Sequence, residues 1–204
     1  MAFISLLIYN ASKTTKDVLA PDVCLIDNSF VFTEGVNIWF RENILTKDAY
    51  MIYCAFLMDF LLVGWTIFFL FFWNTTRLVV AMLFFYPLRS VVQSLFLIRR
   101  PVGFLWFAPG VTSITVPYFD TNDFYYSGHV GGSTLVTAEY ASTGWSGMML
   151  TGMFIVVNEW IMLMLLRTHY FIDLITGLAV ALIIHRLDER LSYIPDVLVF
   201  GLPH

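Results

Sequence analysis

His169 and Asp173 stand four residues apart in the stretch RTHYFIDLITG. A carboxylate hydrogen-bonded to one imidazole nitrogen fixes the tautomer and leaves the other nitrogen available as a base or nucleophile. On a helix this spacing brings both side chains onto one face. Asp173 also sits in apolar sequence, where an unpaired carboxylate costs about 2.5–3.5 kcal/mol on insertion scales. His169 is its nearest candidate partner. A purely structural His–Asp pair tying helices together would show the same spacing. His129 comes earlier, in DFYYSGHVGG. The glycines permit close backbone approach, and a loop feeding a helix start presents free amides and a positive dipole suited to an anion. A capping or interface histidine fits this pattern too. Arg89 lies inside an apolar segment, with Arg99 and Arg100 just beyond it. Guanidinium groups match phosphate geometry with paired hydrogen bonds, and an intramembrane arginine normally faces a bundle interior or a polar cavity. Arg99 and Arg100 could equally be interfacial anchors that snorkel to headgroups.

The elements that must position these groups are apolar. The chain has 204 residues, 59% hydrophobic and 13% charged, with a mean hydropathy of +0.77. A soluble domain carries about 25% charged residues, so the composition indicates an integral membrane protein. The net charge of −4 forms no basic stripe, which argues against nucleic acid as a partner. Cys24 and Cys54 lack metal-ligand spacing, and a disulfide between a polar N-terminal segment and an apolar one is not expected. MAFISLLIY has no basic flank and is too short to read as a cleavable signal.

Five apolar or small-residue segments are predicted to be spans: 50–73, 78–98, 128–143, 145–166 and 169–185. The third, GGSTLVTAEYASTG, is too polar to face lipid all round, and its glycines and serine suit close helix packing. Residues 1–49 read as a polar N-terminal extension with a short amphipathic piece, VNIWFREN, and 187–204 as a tail. Asn74-Thr-Thr matches a glycosylation sequon but reads better as a polar hairpin with a helix cap. The expectation is an all-α polytopic transmembrane bundle of about five spans. Alternation then puts His129, His169, Arg99, Arg100 and Arg167 on one membrane face, together with the N-terminus. Positive charge favours that face seven to three, but without the three arginines nearest the histidines the count is four to three, so orientation stays open. Asp59, Glu139 and Glu159 are the remaining intramembrane carboxylates and are expected to form structural pairs. His185 is expected at the opposite interface, and His204 is terminal.

An arginine-bearing span, then YSGH, then HYxxD opening a later span resembles the type 2 phosphatidic acid phosphatase superfamily. The match is nearest its sphingomyelin synthase branch, with the plant phosphatidylcholine:diacylglycerol cholinephosphotransferases. The resemblance covers roughly residues 50–186, and PLRSVVQSLFLIRRPVG is a less specific part of it. It implies two-step phosphoryl transfer. His169 would attack phosphorus, oriented by Asp173, while His129 would protonate the leaving oxygen. Arg89 and Arg100 would bind the phosphate. No metal and no cofactor are implied. The chain departs from the phosphatase branch at Gln93, where that branch has a lysine, and at MLLRTH, where it has a Ser-Arg pair. Both departures favour the transferases. Those enzymes have six helices, so the first would be missing here.

Two functions follow. One is a membrane lipid phosphotransferase moving a phosphocholine-like headgroup between phospholipid and diacylglycerol-type lipids, expected in an endomembrane. The other is a non-catalytic subunit of a larger membrane complex derived from such an enzyme, for example a respiratory or ATP synthase assembly of the mitochondrial inner membrane. Tyr125 and Tyr126 could cage a quaternary amine if their geometry allowed it.

Overall fold

A computed structural model describes residues 25–73, 75–96, 98–116, 118 and 124–201. The described residues form seven helices and no strands. They are α1 (Phe30–Glu42), α2 (Ile44–Trp73), α3 (Arg77–Leu95), α4 (Gly128–Ser142), α5 (Ser146–Leu165), α6 (Phe171–Leu191) and α7 (Tyr193–Phe200).

Three helices, α2, α3 and α5, are long and apolar enough to cross a membrane. The other two expected spans fall short for different reasons. Helix α4 has 15 residues and is buried almost throughout, so it needs no lipid-facing surface. Helix α6 has the length, but Asp173 opens it and Arg186, Asp188, Glu189 and Arg190 crowd its end. The helix continues to Leu191, beyond the expected end near His185.

Helix α4 is the hub, packed against α3, α5, α6 and the middle of α2. Its small residues make this possible. A Cβ at Gly131 would lie 2.1 Å from Phe85 Cζ in α3, and one at Gly152 in α5 would lie 2.4 Å from Thr137 Oγ1. The boundary between α1 and α2 is one residue, Asn43, whose side-chain amide donates to the Trp39 carbonyl at 2.9 Å. Helix α2 therefore starts six residues before the expected Tyr50. Its middle, Phe60–Trp65, is a π-helical turn. Such a turn displaces carbonyls from their usual partners. Tyr140 of α4 donates its hydroxyl to the Trp65 carbonyl at 2.6 Å.

The long connection between α3 and α4 is held onto the bundle by hydrogen bonds at several points, among them contacts from α2 and α1. Asp59 accepts from Ser113 Oγ at 2.8 Å, from Thr115 Oγ1 at 2.6 Å, and from the Ile114 and Thr115 amides at 3.0 and 2.8 Å. Asp59 is expected to form a structural pair, with Arg89 or a neighbouring helix as the candidates. It binds backbone and hydroxyl groups of this loop instead. Nearer the start of the loop, Asn37 of α1 donates to the carbonyls of Gly103 and Leu165 at 3.0 and 2.8 Å.

Candidate active site

The turn Tyr125–Ser127 delivers His129. Ser127 is the N-cap of α4, and its hydroxyl accepts from the Val130 amide at 3.4 Å. Tyr125 takes a positive φ of 92°, an uncommon conformation for a residue with a Cβ. Cross-helix bonds hold the turn in place. Thr176 Oγ1 of α6 donates to the Tyr125 carbonyl at 2.8 Å, and the Ser127 amide donates to the Asp173 carbonyl at 3.1 Å. Gly177 lets the two backbones meet, since a Cβ there would lie 2.5 Å from the Ser127 carbonyl oxygen. From α3, Arg89 Nε and Gln93 Nε2 both donate to the Tyr126 carbonyl, at 2.9 and 3.3 Å. Gln93, noted above only as a departure from a pattern, thus helps fix the turn before His129.

His169 is not in a helix. It precedes the Tyr170 N-cap of α6, and Asp173 is the third helical residue. One carboxylate oxygen, Asp173 Oδ2, accepts the Tyr170 amide at 3.0 Å and faces His169 Nδ1 at 3.2 Å. The pairing expected from a shared helix face is real, but its cause is a helix cap that reaches back one residue further. With Nδ1–H directed at the carboxylate, Nε2 is the imidazole's remaining ring nitrogen. Asp173 is fully buried and His169 is 5% exposed. Asp27, from the segment before α1, accepts the Phe171 amide at 2.6 Å and adds a second carboxylate at this helix start.

His129 and His169 line one cavity of about 240 Å³, together with Arg89, Tyr86, Gly128 and Thr168. Three segments distant in sequence, around Arg89, His129 and His169, therefore converge. Arg89 is held close above the Gly128 backbone, where a Cβ would come within 3.1 Å of its Nε. Met58, Leu62 and Leu163 supply an apolar side, and Phe104 and Trp106 an aromatic one. The Trp106 ring meets His129 edge-on at 5.5 Å and packs on Tyr118 at 5.4 Å. Burial, reinforced by the Asp59 charge, pushes the Tyr118 phenol up to about 12, so it stays neutral beside Trp106.

Three expected site residues lie elsewhere. Arg100 is not among the cavity-lining residues; its guanidinium stacks 5.3 Å over Phe104, one of the cavity's walls. Tyr125 stacks on Phe96 at 4.2 Å and Tyr126 packs on Phe85 at 5.0 Å, so neither forms an aromatic cage. The aromatic residues that line the cavity are Tyr86, Phe104 and Trp106. Arg167 sits beside the histidine face but is committed to the fold. It donates to Glu34 and to the Phe30 and Val102 carbonyls, the last two at 3.1 and 2.9 Å, with φ at 53°.

A second polar cluster joins α3, α4 and α6 where α3 begins and α6 ends. His185 Nδ1 lies 2.6 Å from Glu139 Oε1, and Arg77 bridges Glu139 and Asp188 at 3.4 and 3.2 Å. His185, expected at the interface, is an interior partner. Glu139, His185 and Asp188 have ligand atoms within 4.8 Å of one another, the spacing of a metal site. The Arg77 guanidinium supplies the positive charge there. Glu159 is fully buried in α5, and neither carboxyl oxygen has a hydrogen-bond partner among the described residues, unlike the structural pair expected for it.

No family model, characterised protein or solved structure matches the chain.

Proposed function

We propose that the protein is a membrane lipid phosphotransferase that moves a phospho-headgroup through a phosphohistidine. The supporting observation is the single cavity lined by His129, His169 and Arg89, with Asp173 behind His169. His169 Nε2 attacks phosphorus as the bond to the diacylglycerol oxygen breaks, and His129 gives that oxygen a proton. In the return step an acceptor hydroxyl passes its proton to His129 and bonds to phosphorus as the P–N bond breaks. Arg89 balances charge on the phosphoryl oxygens. Such a reaction asks mainly for positioning and charge stabilisation, and a near-neutral imidazole serves as acid and then as base. The cavity falls below the roughly 300–1,000 Å³ of drug-sized sites. It suits a headgroup, with the acyl chains outside along the apolar flank. Tyr86, Phe104 and Trp106 favour a quaternary amine. On this reading the bundle has five crossings, with α4 and α6 enclosed by α2, α3 and α5.

The test is turnover by purified protein in lipid nanodiscs containing phosphatidylcholine and a fluorescent diacylglycerol. The wild type should convert the fluorescent lipid to phospholipid, and His169→Ala and His129→Ala should not. With ³²P-labelled phosphatidylcholine and no acceptor lipid, the wild type should carry acid-labile label on the protein and His169→Ala should carry none. A wild type without turnover that purifies in fixed ratio with other subunits would replace this reading with that of an accessory subunit.

A further inference from the structure

Helix α1 carries its polarity inside out. Asn37 is fully buried and donates to Gly103 and Leu165, Glu34 accepts from Arg167, and Arg41 donates to Asn37 at 3.3 Å. These residues, spaced i, i+3, i+7, spend their polar atoms on the protein. Phe32, Val36 and Trp39, spaced i, i+4, i+7, are exposed, Phe32 at 90%. Glu34 and Arg41 are themselves exposed beside that apolar face, and Glu42, the last residue, interrupts it. Helix α7 repeats the arrangement. Asp196 is buried and accepts from the Thr76 amide and from the hydroxyls of Thr75 and Thr76 at 2.5–2.7 Å. Ile194, Leu198 and Val199 are exposed, Leu198 at 79%.

The two helices sit at opposite ends of the bundle. Helix α7 caps the start of α3 through Thr75 and Thr76, whereas α1 holds the loop that follows its end. Helix α3 has 19 residues, about 28 Å at 1.5 Å per residue, close to the roughly 30 Å of a hydrocarbon core. A helix facing water would turn its charges outward. One whose outer side meets acyl chains must do the reverse. The apolar face of α1 also continues onto the exposed apolar surface of a candidate span. Leu45 opens α2 one residue beyond the α1–α2 junction and is 86% exposed.

From these two faces we infer that α1 and α7 lie in the headgroup–acyl boundary of opposite leaflets, each with its apolar face in lipid. The inference rests on the membrane reading of the three long helices and is independent of the phosphoryl chemistry. Helix α1 thereby does more than anchor. The Phe30 carbonyl and Glu34 hold Arg167, two residues before His169, and Asp27 caps α6. Seating α1 in the leaflet braces the segment that presents the candidate nucleophile.

The experiment places single nitroxide labels at Phe32→Cys, Val36→Cys and Leu198→Cys. The full chain carries Cys24→Ser, Cys54 being fully buried, and is held in phosphatidylcholine nanodiscs. Phe154→Cys on α5 is the lipid control and Arg190→Cys the water control. Relaxation by oxygen, which partitions into lipid, is compared with relaxation by water-soluble nickel chelate. At all three test positions oxygen accessibility should exceed nickel accessibility severalfold, as at Phe154→Cys. Nickel accessibility equal to that of Arg190→Cys overturns the inference. So does protection from both relaxants, which would mean that protein, including this chain's own first residues, covers the face. A water-like profile at Phe154→Cys itself would remove the membrane reading along with the inference.

Discussion

The Nδ1 of His169 lies 3.2 Å from Asp173 Oδ2, although the two residues do not share a helix. The carboxylate that faces the imidazole also closes the α6 N-terminus on the Tyr170 amide. Orientation of the candidate nucleophile and initiation of a helix are thus one act of hydrogen bonding.

Asp173→Asn separates the two roles. An amide oxygen can still accept from the Tyr170 amide, so the cap survives, while the imidazole loses the anion that stabilises its charged form. Turnover should fall by about 10⁴-fold, the scale seen when a histidine is left in the wrong tautomer. Thermal stability should change little, because the cap is kept. Headgroup transfer and melting temperature, measured on one preparation, check both halves.

Gly177→Ala tests the backbone contact that seats His129. A methyl group there meets the Ser127 carbonyl oxygen at 2.5 Å, an atom that cannot swing aside. Overpacking of this kind costs about 1–3 kcal/mol. The melting temperature should drop and transfer should be impaired, while Gly147→Ala, with open space around its Cβ, serves as a neutral control.

Asp59→Ala tests the loop anchor. It removes an acceptor serving four donors between Ser113 and Thr115, the last of which lines the cavity. Hydrogen bonds to a charged group are each worth about 1.5–3 kcal/mol. Amide exchange over residues 111–116 should accelerate at least tenfold, and KM should rise more than kcat falls.

Two buried glutamates should respond in opposite ways to the same substitution. Glu159→Gln removes the possibility of charge from a carboxyl without partners and should leave the melting temperature unchanged or higher. Glu139→Gln breaks a network with Arg77 and His185 and strands their charge, so a loss of about 3–5 kcal/mol is expected. Thermal unfolding of the two variants side by side makes the comparison.

The sequence made the helical, membrane-spanning character legible because apolar runs advertise themselves. The turn at Ser127–Gly128 was legible because small residues before a histidine have few other uses. What stayed hidden depends on partners distant in the chain. His185 finds Glu139 across 46 residues and Asp59 finds a loop 54 to 56 residues away. Arg100 is adjacent to Pro101 in a motif-like setting, yet a local ring, Phe104, claims its guanidinium. Helix α1 was visible only as an amphipathic fragment, since its apolar side points away from the core and mimics a disordered mixture. The capping role of Asp173 was missed because i, i+4 spacing suggested a helix face before a helix end was considered.

The π-helical turn at Phe60–Trp65 also matters for how this chain tolerates change in length. A π turn holds one residue more than the α-helix around it. Deleting a single residue within it would leave a regular helix with every backbone bond made. Everything before the deletion would then keep its facing relative to everything after it, whereas a deletion in the regular α-helix on either side would rotate the two parts by about 100°. Asp59 would keep its hold on Ser113 and Thr115, and Trp65 its place beside Tyr140. Helix α2 can therefore shed one residue within this turn without unfastening the roof of the cavity.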